Sequence, residues 1–173
     1  MEENIDVKPV TVRGVGTKFG LISAGIGIFF FLVLVLTGQN AFDNKWSWVN
    51  VIISIALLVV AHREFKKLGD GFMSYGQGVG IGFWMAIVSL LIGGFVMWIY
   101  SSLVEPEVMD RFYEMQRIKF EDQGMSDNQI DVSLEWTRKL FWPIYGFFGL
   151  FFGVLMAVIV TIFTQKKNPN PVF

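Results

Sequence analysis

The chain has 173 residues, contains no cysteine and carries a formal net charge of −1. This composition excludes disulfides and thiol nucleophiles, and it excludes the strongly basic surface that nucleic-acid binding uses. Because 53% of the residues are hydrophobic, the chain has more apolar side chains than the core of a soluble domain of this length needs.

Four apolar runs without a charged residue account for this excess. A bilayer core about 30 Å thick needs about 20 helical residues, and a soluble bundle built from such runs would lack polar outward faces. We therefore predict an all-α membrane protein, a single domain with four transmembrane helices. The predicted spans cover about 19–37, 46–63, 77–103 and 141–163.

The first two runs each need a further argument. The alternative for residues 19–36 is a signal peptide, but this run is longer than a typical signal-peptide core and Gln39-Asn40-Ala41 is a poor cleavage site. We therefore expect a retained span. The second run is short, and we expect its helix to continue through Phe65, with the longer side chains reaching the head groups.

Charges differ between the two sides of the predicted membrane. The side that holds both termini has eight Lys and Arg against five carboxylates, and the opposite side has six against ten. The basic residues of the first side are Lys8, Arg13, Lys18, Arg63, Lys66, Lys67, Lys166 and Lys167. Because cytoplasmic loops are enriched in Lys and Arg, both termini are predicted to be cytoplasmic.

Two groups of interfacial residues follow from this orientation. On the cytoplasmic side, Arg63, Lys66 and Lys67 are predicted to contact anionic lipid head groups. On the opposite side, aromatic residues are predicted to anchor the span ends in the interface. These interface anchors are Trp46, Trp48, Trp98 and Trp142.

Residues 105–140 are predicted to form an amphipathic helical hairpin outside the membrane, between the third and fourth spans. The first helix runs from about Glu107, after Pro106, to Gln123. Gly124 supplies the left-handed position that commonly ends a helix, and Ser126 with Gln129 matches a capping box. A second helix therefore starts at Asp127.

Two interpretations of this hairpin are open. Its aromatic stripe either packs over the external span ends or docks a partner protein. The residues of this candidate partner surface are Phe112, Tyr113, Phe120 and Trp136. Further along, Pro143 either kinks a continuous helix or marks the start of the fourth span.

Small residues spaced four apart predict where the third and fourth spans pack closely in lipid. The residues of this pattern are Gly78, Gly82, Gly149, Gly153 and Ala157. The neighbouring helix belongs either to the same chain or to a second copy.

Catalytic residue types crowd together only at His62-Arg63-Glu64. Adjacent residues of a helix point about 100° apart, so these three side chains do not converge on one atom. We expect His62 to be an interfacial residue. No catalytic, cofactor-binding or metal-binding residue is predicted anywhere in the chain.

Several segments together resemble a domain-of-unknown-function family of small bacterial four-span membrane proteins. They are Leu68–Gln77, Glu105-Pro106, Gln123–Ile130 and Lys166–Pro169. The resemblance implies a bacterial inner membrane and a periplasmic hairpin. It brings no activity, cofactor or catalytic residue with it.

The function predicted from these features is that of a non-catalytic structural or accessory subunit, which binds a partner protein through its spans or its hairpin. The alternative is a small channel or transporter acting as an oligomer, although the spans lack the ionisable residues that solute pathways usually need. An intramembrane enzyme is a third class, disfavoured because no nucleophile with a base is found. The expected partners are the lipid bilayer and another membrane protein or a second copy of the chain, without nucleic acid and without a cofactor.

Overall fold

A computed structural model describes residues 9–169. Its helices are Val12–Leu36 (α1), Ser47–Leu68 (α2), Tyr75–Ile99 (α3), Glu107–Asp122 (α4) and Asp127–Thr164 (α5). A 3₁₀ turn at Asn44–Trp46 leads into α2, and a π-helical segment at Tyr100–Val104 extends α3. Within this part of the chain α1, α2, α5 and the extended α3 are long and apolar enough to cross a membrane. The predicted all-α, four-span class is confirmed.

The two ends of the bundle differ in which elements meet there. At the end that we call the terminal end, α1 and α3 begin and α2 and α5 finish. A single antiparallel β-bridge between Met73 and Lys166 joins the α2–α3 connection to the segment after α5 at this end. The opposite end, from which α4 and the start of α5 extend, is the hairpin end. Lys8, one of the basic residues assigned to the terminal end, lies outside the described residues.

Helices α1 and α2 are longer than the uncharged runs from which they were predicted. Helix α1 begins at Val12, where the Thr11 hydroxyl accepts a hydrogen bond from the Gly14 N–H at 3.0 Å. The Thr11 cap therefore determines where α1 begins. The charge of Lys18 does not interrupt the helix, because its ammonium group points outward to Glu64. The predicted continuation of α2 through Phe65 is confirmed, since the helix ends at Leu68.

Helix α5 is continuous through Pro143. Its 38 residues give a length of about 57 Å, roughly twice the thickness of a bilayer core. The helix is therefore long enough to cross a membrane and to project beyond it, and its charged residues lie in the part toward the hairpin end. Its start has the predicted capping box, in which the Ser126 N–H donates to the Gln129 side chain at 2.9 Å.

Helix α4 folds back along the projecting part of α5. Gly124, with φ of +76°, makes the reversal between them in the left-handed conformation that favours glycine. Val108 of α4 and Ile130 and Leu134 of α5 are buried. Val108 packs with Phe31 and Val35 of α1, so α4 is held on the bundle as well as on α5.

Helix α3 packs closely against both α1 and α5, because glycines line the contacts. A Cβ added to Gly16 would lie 2.6 Å from the Cβ of Trp84, and one added to Gly20 would lie 2.7 Å from the Cβ of Val88. Such distances leave no room for a side chain, so α1 and α3 touch through their backbones.

Candidate functional site

The described residues contain three features with functional potential: a polar cluster at the terminal end, an aromatic cluster at the hairpin end and a cavity between them. The polar cluster is centred on His62, which is 0% exposed. Its ring is not at the surface of the bundle but reaches inward between the start of α3 and the end of α5.

His62 joins three helices through its two ring nitrogens. Nε2 lies 3.0 Å from the Gly78 carbonyl oxygen, and Nδ1 lies 2.7 Å from the Thr164 hydroxyl. Because a backbone carbonyl only accepts, Nε2 carries the proton that it donates to Gly78. The Thr164 hydroxyl lies within hydrogen-bond distance of both Nδ1 and the Val160 carbonyl oxygen, the latter at 2.9 Å. Both polar atoms of this buried side chain therefore have a polar partner within reach, as burial in an apolar bundle requires.

Further contacts close the terminal end around His62. The Lys66 ammonium group donates to the carbonyl oxygen of Thr164, the last residue of α5, at 2.7 Å. Met73 and Lys166 exchange two backbone hydrogen bonds of 2.8 and 2.9 Å, and the Lys166 ammonium lies 5.2 Å from the centroid of the Phe72 ring. We call His62, Lys66, Met73, Thr164 and Lys166 the terminal clamp. Its arrangement ties α2, α3 and α5 together.

The residues predicted to contact lipid head groups occupy two kinds of position. Arg63 and Lys67 are exposed at the terminal end of α2. Lys66 instead points toward the end of α5, where it belongs to the terminal clamp. Beside them, Lys18 of α1 and Glu64 of α2 form an ion pair of 2.7 Å.

The predicted packing glycines lie between α3 and α5 of the same chain. A Cβ on Gly78 would lie 2.5 Å from the Thr161 side chain, and one on Gly82 would overlap the Cβ of Ala157. A Cβ on Gly153 would lie 2.7 Å from the Cβ of Ala86, and one on Gly149 would lie 3.1 Å from Leu90. These four glycines follow a single line of contact along the bundle.

The aromatic cluster joins the hairpin to the spans. Phe42, in the α1–α2 connection, is its centre, with ring centroids 5.9 Å from Phe31, 6.1 Å from Phe112 and 5.2 Å from Phe141. Most of these rings meet edge to face, the arrangement that aromatic quadrupoles favour. The cluster holds α4 and the projecting part of α5 on the bundle.

The candidate partner surface is divided by this packing. Phe112 is buried in the aromatic cluster, so it is not part of an exposed surface. Tyr113 and Phe120 are half-buried, and the Arg138 guanidinium lies 5.0 Å from the centroid of the Tyr113 ring. Trp136 is 58% exposed, and of the four residues it alone faces outward.

An ion pair fixes the junction between α3 and α4. The Glu105 carboxylate accepts from Arg111 at 2.8 Å and from the Tyr100 hydroxyl at 3.0 Å. The Arg111 guanidinium, followed by the tyrosine hydroxyl, lowers the pKa of Glu105 below its usual range. Stability from this carboxylate is therefore present at neutral pH and is lost on acidification through that lowered pKa.

The tryptophans predicted as interface anchors all lie toward the hairpin end. Trp48 is largely exposed at the start of α2, and Trp98 is exposed near the end of α3, stacked on Phe95. Trp46 contacts Phe30 edge to face. Trp142 packs into the aromatic cluster against Phe42 and Phe141.

The third feature is a half-open cavity of about 420 Å³. It lies between the first half of α2 and helices α1, α3 and α5. Its lining is mainly apolar, with Asn50 and several serine hydroxyls among the polar groups. Below it, Leu58, Ile81 and Ala157 are buried together in a packed core that separates it from the terminal clamp.

The comparison with protein families identifies the chain. The family model described as a protein of unknown function, DUF4199, matches residues 18–166. The chain belongs to this DUF4199 family. No curated protein and no solved structure matches it. The matched region takes in most of α1 and all of α2, α3, α4 and α5, and it contains the whole terminal clamp, the aromatic cluster and the lining of the cavity. Within residues 9–169 of this DUF4199 protein, no three His, Cys, Asp or Glu side chains are grouped closely enough to hold a metal ion.

Sequence reasoning missed two parts of this arrangement. Gly16 and Gly20 are spaced four apart, so the rule applied to α3 and α5 would have found the α1–α3 contact as well. The predicted first span began only after Lys18, which left Gly16 outside it. His62 had no sequence signal, because its partners are 16 and 102 residues away.

Proposed function

We propose that this DUF4199 protein is a non-catalytic accessory subunit of a bacterial inner membrane, with both termini in the cytoplasm and the hairpin in the periplasm. It binds a partner membrane protein through the outward face of α5 at the hairpin end. The excess of Lys and Arg near the terminal end supports the orientation. The sequence resemblance to small bacterial membrane proteins supports the compartment.

The observation that supports this proposal is a second apolar face on the projecting part of α5. Ile130 and Leu134 form one face, which is buried against α4. Val132 and Trp136 lie well around the helix from that face and are 55% and 58% exposed, and Leu140 continues their line. A two-helix hairpin needs only one apolar face for its own packing. The face formed by Val132, Trp136 and Leu140, which we call the outer face, is partly exposed in the described chain.

The position of the outer face favours a membrane protein as the partner. The uncharged run of α5 begins at residue 141, so Leu140 lies at the membrane surface. At a rise of about 1.5 Å per residue, Trp136 lies roughly 6 Å and Val132 roughly 12 Å along α5 from Leu140. A partner that covers the whole outer face must therefore contact it both at the membrane surface and outside the membrane.

Charge defines the chemistry expected of the partner. Residues 105–140 carry nine carboxylates against five Lys and Arg. Interfaces of this kind combine an apolar centre with a polar rim of complementary charge. The partner should present an apolar patch bordered by basic side chains, and salt should slow its association.

Extraction with a mild detergent tests the proposal. The tagged wild-type chain should be recovered with a stoichiometric companion, and the Val132→Ala/Trp136→Ala double variant should lose it. The matched control is Phe147→Ala/Phe151→Ala, which removes two similarly exposed apolar side chains from the membrane-spanning part of the same helix. This control should keep the companion. Recovery of the lone polypeptide in several detergents, or equal recovery of the companion by both variants, would contradict the proposal.

A second candidate function is a small channel or transporter acting as an oligomer. The cavity favours it, because Asn50, Ser54 and Ser89 all line the same space. The packed core below the cavity closes the route through one copy, so flux requires an opening beside Leu58 or a path between copies. Solute flux in liposomes containing the purified chain, abolished by a bulky residue at Ser54, would support this function over the first.

A further inference from the structure

The cavity lies beside the half of α2 that packs less closely on the bundle. All buried residues of α2, from Leu58 to Phe65, lie in its second half. The first half, from Ser47 to Leu57, contributes no buried residue. Helix α2 thus stands away from its neighbours toward the hairpin end, at membrane depth, and the cavity fills the gap.

Glycines and methionines determine the shape of the cavity. Six glycines line it, and at Gly27 an added Cβ would meet no atom within 4 Å. Gly27 thus leaves open a volume that a side chain would fill. Met85, Met97 and Met156 also line it, and their flexible thioether side chains adapt readily to the shape of an apolar ligand.

A polar stripe on α2 faces this otherwise apolar space. Ser47, Asn50 and Ser54 are spaced three and four residues apart, which places them on one helix face, and all three line the cavity. Opposite them, the hydroxyls of Ser23 and Ser89 lie 3.2 Å apart. An amphipathic span normally turns such a face away from lipid, toward protein or toward a ligand.

Asn50 supplies the only amide of this polar stripe on α2. Its side chain is exposed at the lining of the cavity, close to the start of α2. A bound molecule that offers a hydroxyl or carbonyl would hydrogen-bond this amide.

The lining also defines the charge of the ligand. All lining residues belong to the described chain, and none of them is Asp, Glu, Lys, Arg or His. A charged molecule would therefore be buried without a counter-charge. The volume of about 420 Å³ is about 14 times that of a water molecule in the liquid, and it lies in the range of small-molecule sites.

We propose that this cavity binds an uncharged lipid-soluble molecule. Its hydrogen-bonding group lies against Asn50 and Ser54, and its apolar body lies along Met85, Met97 and the glycines of α3 and α5. The site is independent of the outer face and needs no partner protein.

Photolabelling of the purified chain in phospholipid nanodiscs tests the site. The probe is a diazirine-bearing long-chain alcohol, compared with the same chain carrying no hydroxyl. The alcohol should label peptides from α2 and α3 saturably, and an excess of unlabelled long-chain alcohol should compete. Asn50→Leu should lower labelling by the alcohol about tenfold, the equivalent of one hydrogen bond of about 1.4 kcal/mol, and should leave labelling by the alkane unchanged.

A matched pair of glycine variants separates filling of the cavity from a general effect on α1. Gly27→Leu places a side chain in open space that lines the cavity, whereas Gly25→Leu adds the same side chain at an exposed position of the same helix. Gly27→Leu should abolish saturable labelling and Gly25→Leu should retain it. Equal labelling by the alcohol and the alkane would show that the cavity holds bulk acyl chains only and would overturn the proposal. So would unchanged labelling of Gly27→Leu and Asn50→Leu.

Discussion

Removal of the His62 ring should destabilise the whole bundle rather than only its surface. His62 connects α2 to the Gly78 carbonyl of α3 and to the Thr164 hydroxyl of α5. Two substitutions separate the effects of its hydrogen bonds from those of its volume. His62→Leu keeps an apolar side chain of moderate size and loses both hydrogen bonds, whereas His62→Ala also leaves a void.

The magnitudes follow from the hydrogen bonds and the buried volume that each substitution removes. Hydrogen bonds between transmembrane helices contribute about 0.6 kcal/mol on average and about 1.7 kcal/mol at most, so His62→Leu should lower the free energy of unfolding by about 1–3 kcal/mol. Truncation of a large buried side chain to alanine costs about 2–5 kcal/mol in total. We therefore expect His62→Ala to be the more damaging change, at about 3–5 kcal/mol.

The assay is reversible unfolding in mixed micelles with increasing SDS, followed by circular dichroism or tryptophan fluorescence. Arg63→Ala is the control, since this neighbouring side chain is exposed and should change the free energy of unfolding by less than about 0.5 kcal/mol. Equal effects of His62→Ala and Arg63→Ala would refute the reasoning, because His62 would then contribute no more than a surface residue.

Three further perturbations test other contacts. Gly82→Ala should lower the free energy of unfolding by about 1–3 kcal/mol because its Cβ overlaps Ala157, whereas Gly76→Ala, in open space on the same helix, should be neutral or slightly stabilising in the same assay. Phe112→Ala should cost about 3–5 kcal/mol and speed hydrogen exchange throughout α4, and unchanged exchange there would show that the aromatic cluster does not hold the hairpin. Acidification through the lowered pKa of Glu105 should reduce the protection of the amides at the start of α4, measured as exchange relative to the intrinsic rate at each pH. Glu105→Gln should reproduce this loss of protection at neutral pH; a pH response that survives in that variant would assign it to another group.

The fold class was predictable from the sequence because each membrane span is a continuous run of uncharged residues. Long uncharged runs and the Ser126–Gln129 capping box depend on neighbouring residues alone. Helix ends were less predictable, since charge ends an apolar run without ending a helix. Arg13 illustrates this: it lies within α1, and its guanidinium lies 4.9 Å from the centroid of the Trp84 ring of α3.

The candidate sites were predictable only where a pattern is confined to one helix. The spacing of Gly78 and Gly82 shows that two small residues share a face, but it does not show which helix they meet. Asn50 and Ser89 were each too isolated in the sequence to suggest a polar path, and only the tertiary structure places them beside one cavity. The burial of His62 was not predicted for the same reason, since it depends on contacts with residues that are distant along the chain.

Labelling of single cysteines tests the membrane topology most directly, because the sequence contains no cysteine of its own. Gln123→Cys places a thiol at the tip of the hairpin, and Lys67→Cys places one at the end of α2, both at exposed positions. In intact cells a membrane-impermeant maleimide should label Gln123→Cys and spare Lys67→Cys until the membrane is permeabilised. Equal labelling of the two variants before permeabilisation would contradict the four-span arrangement.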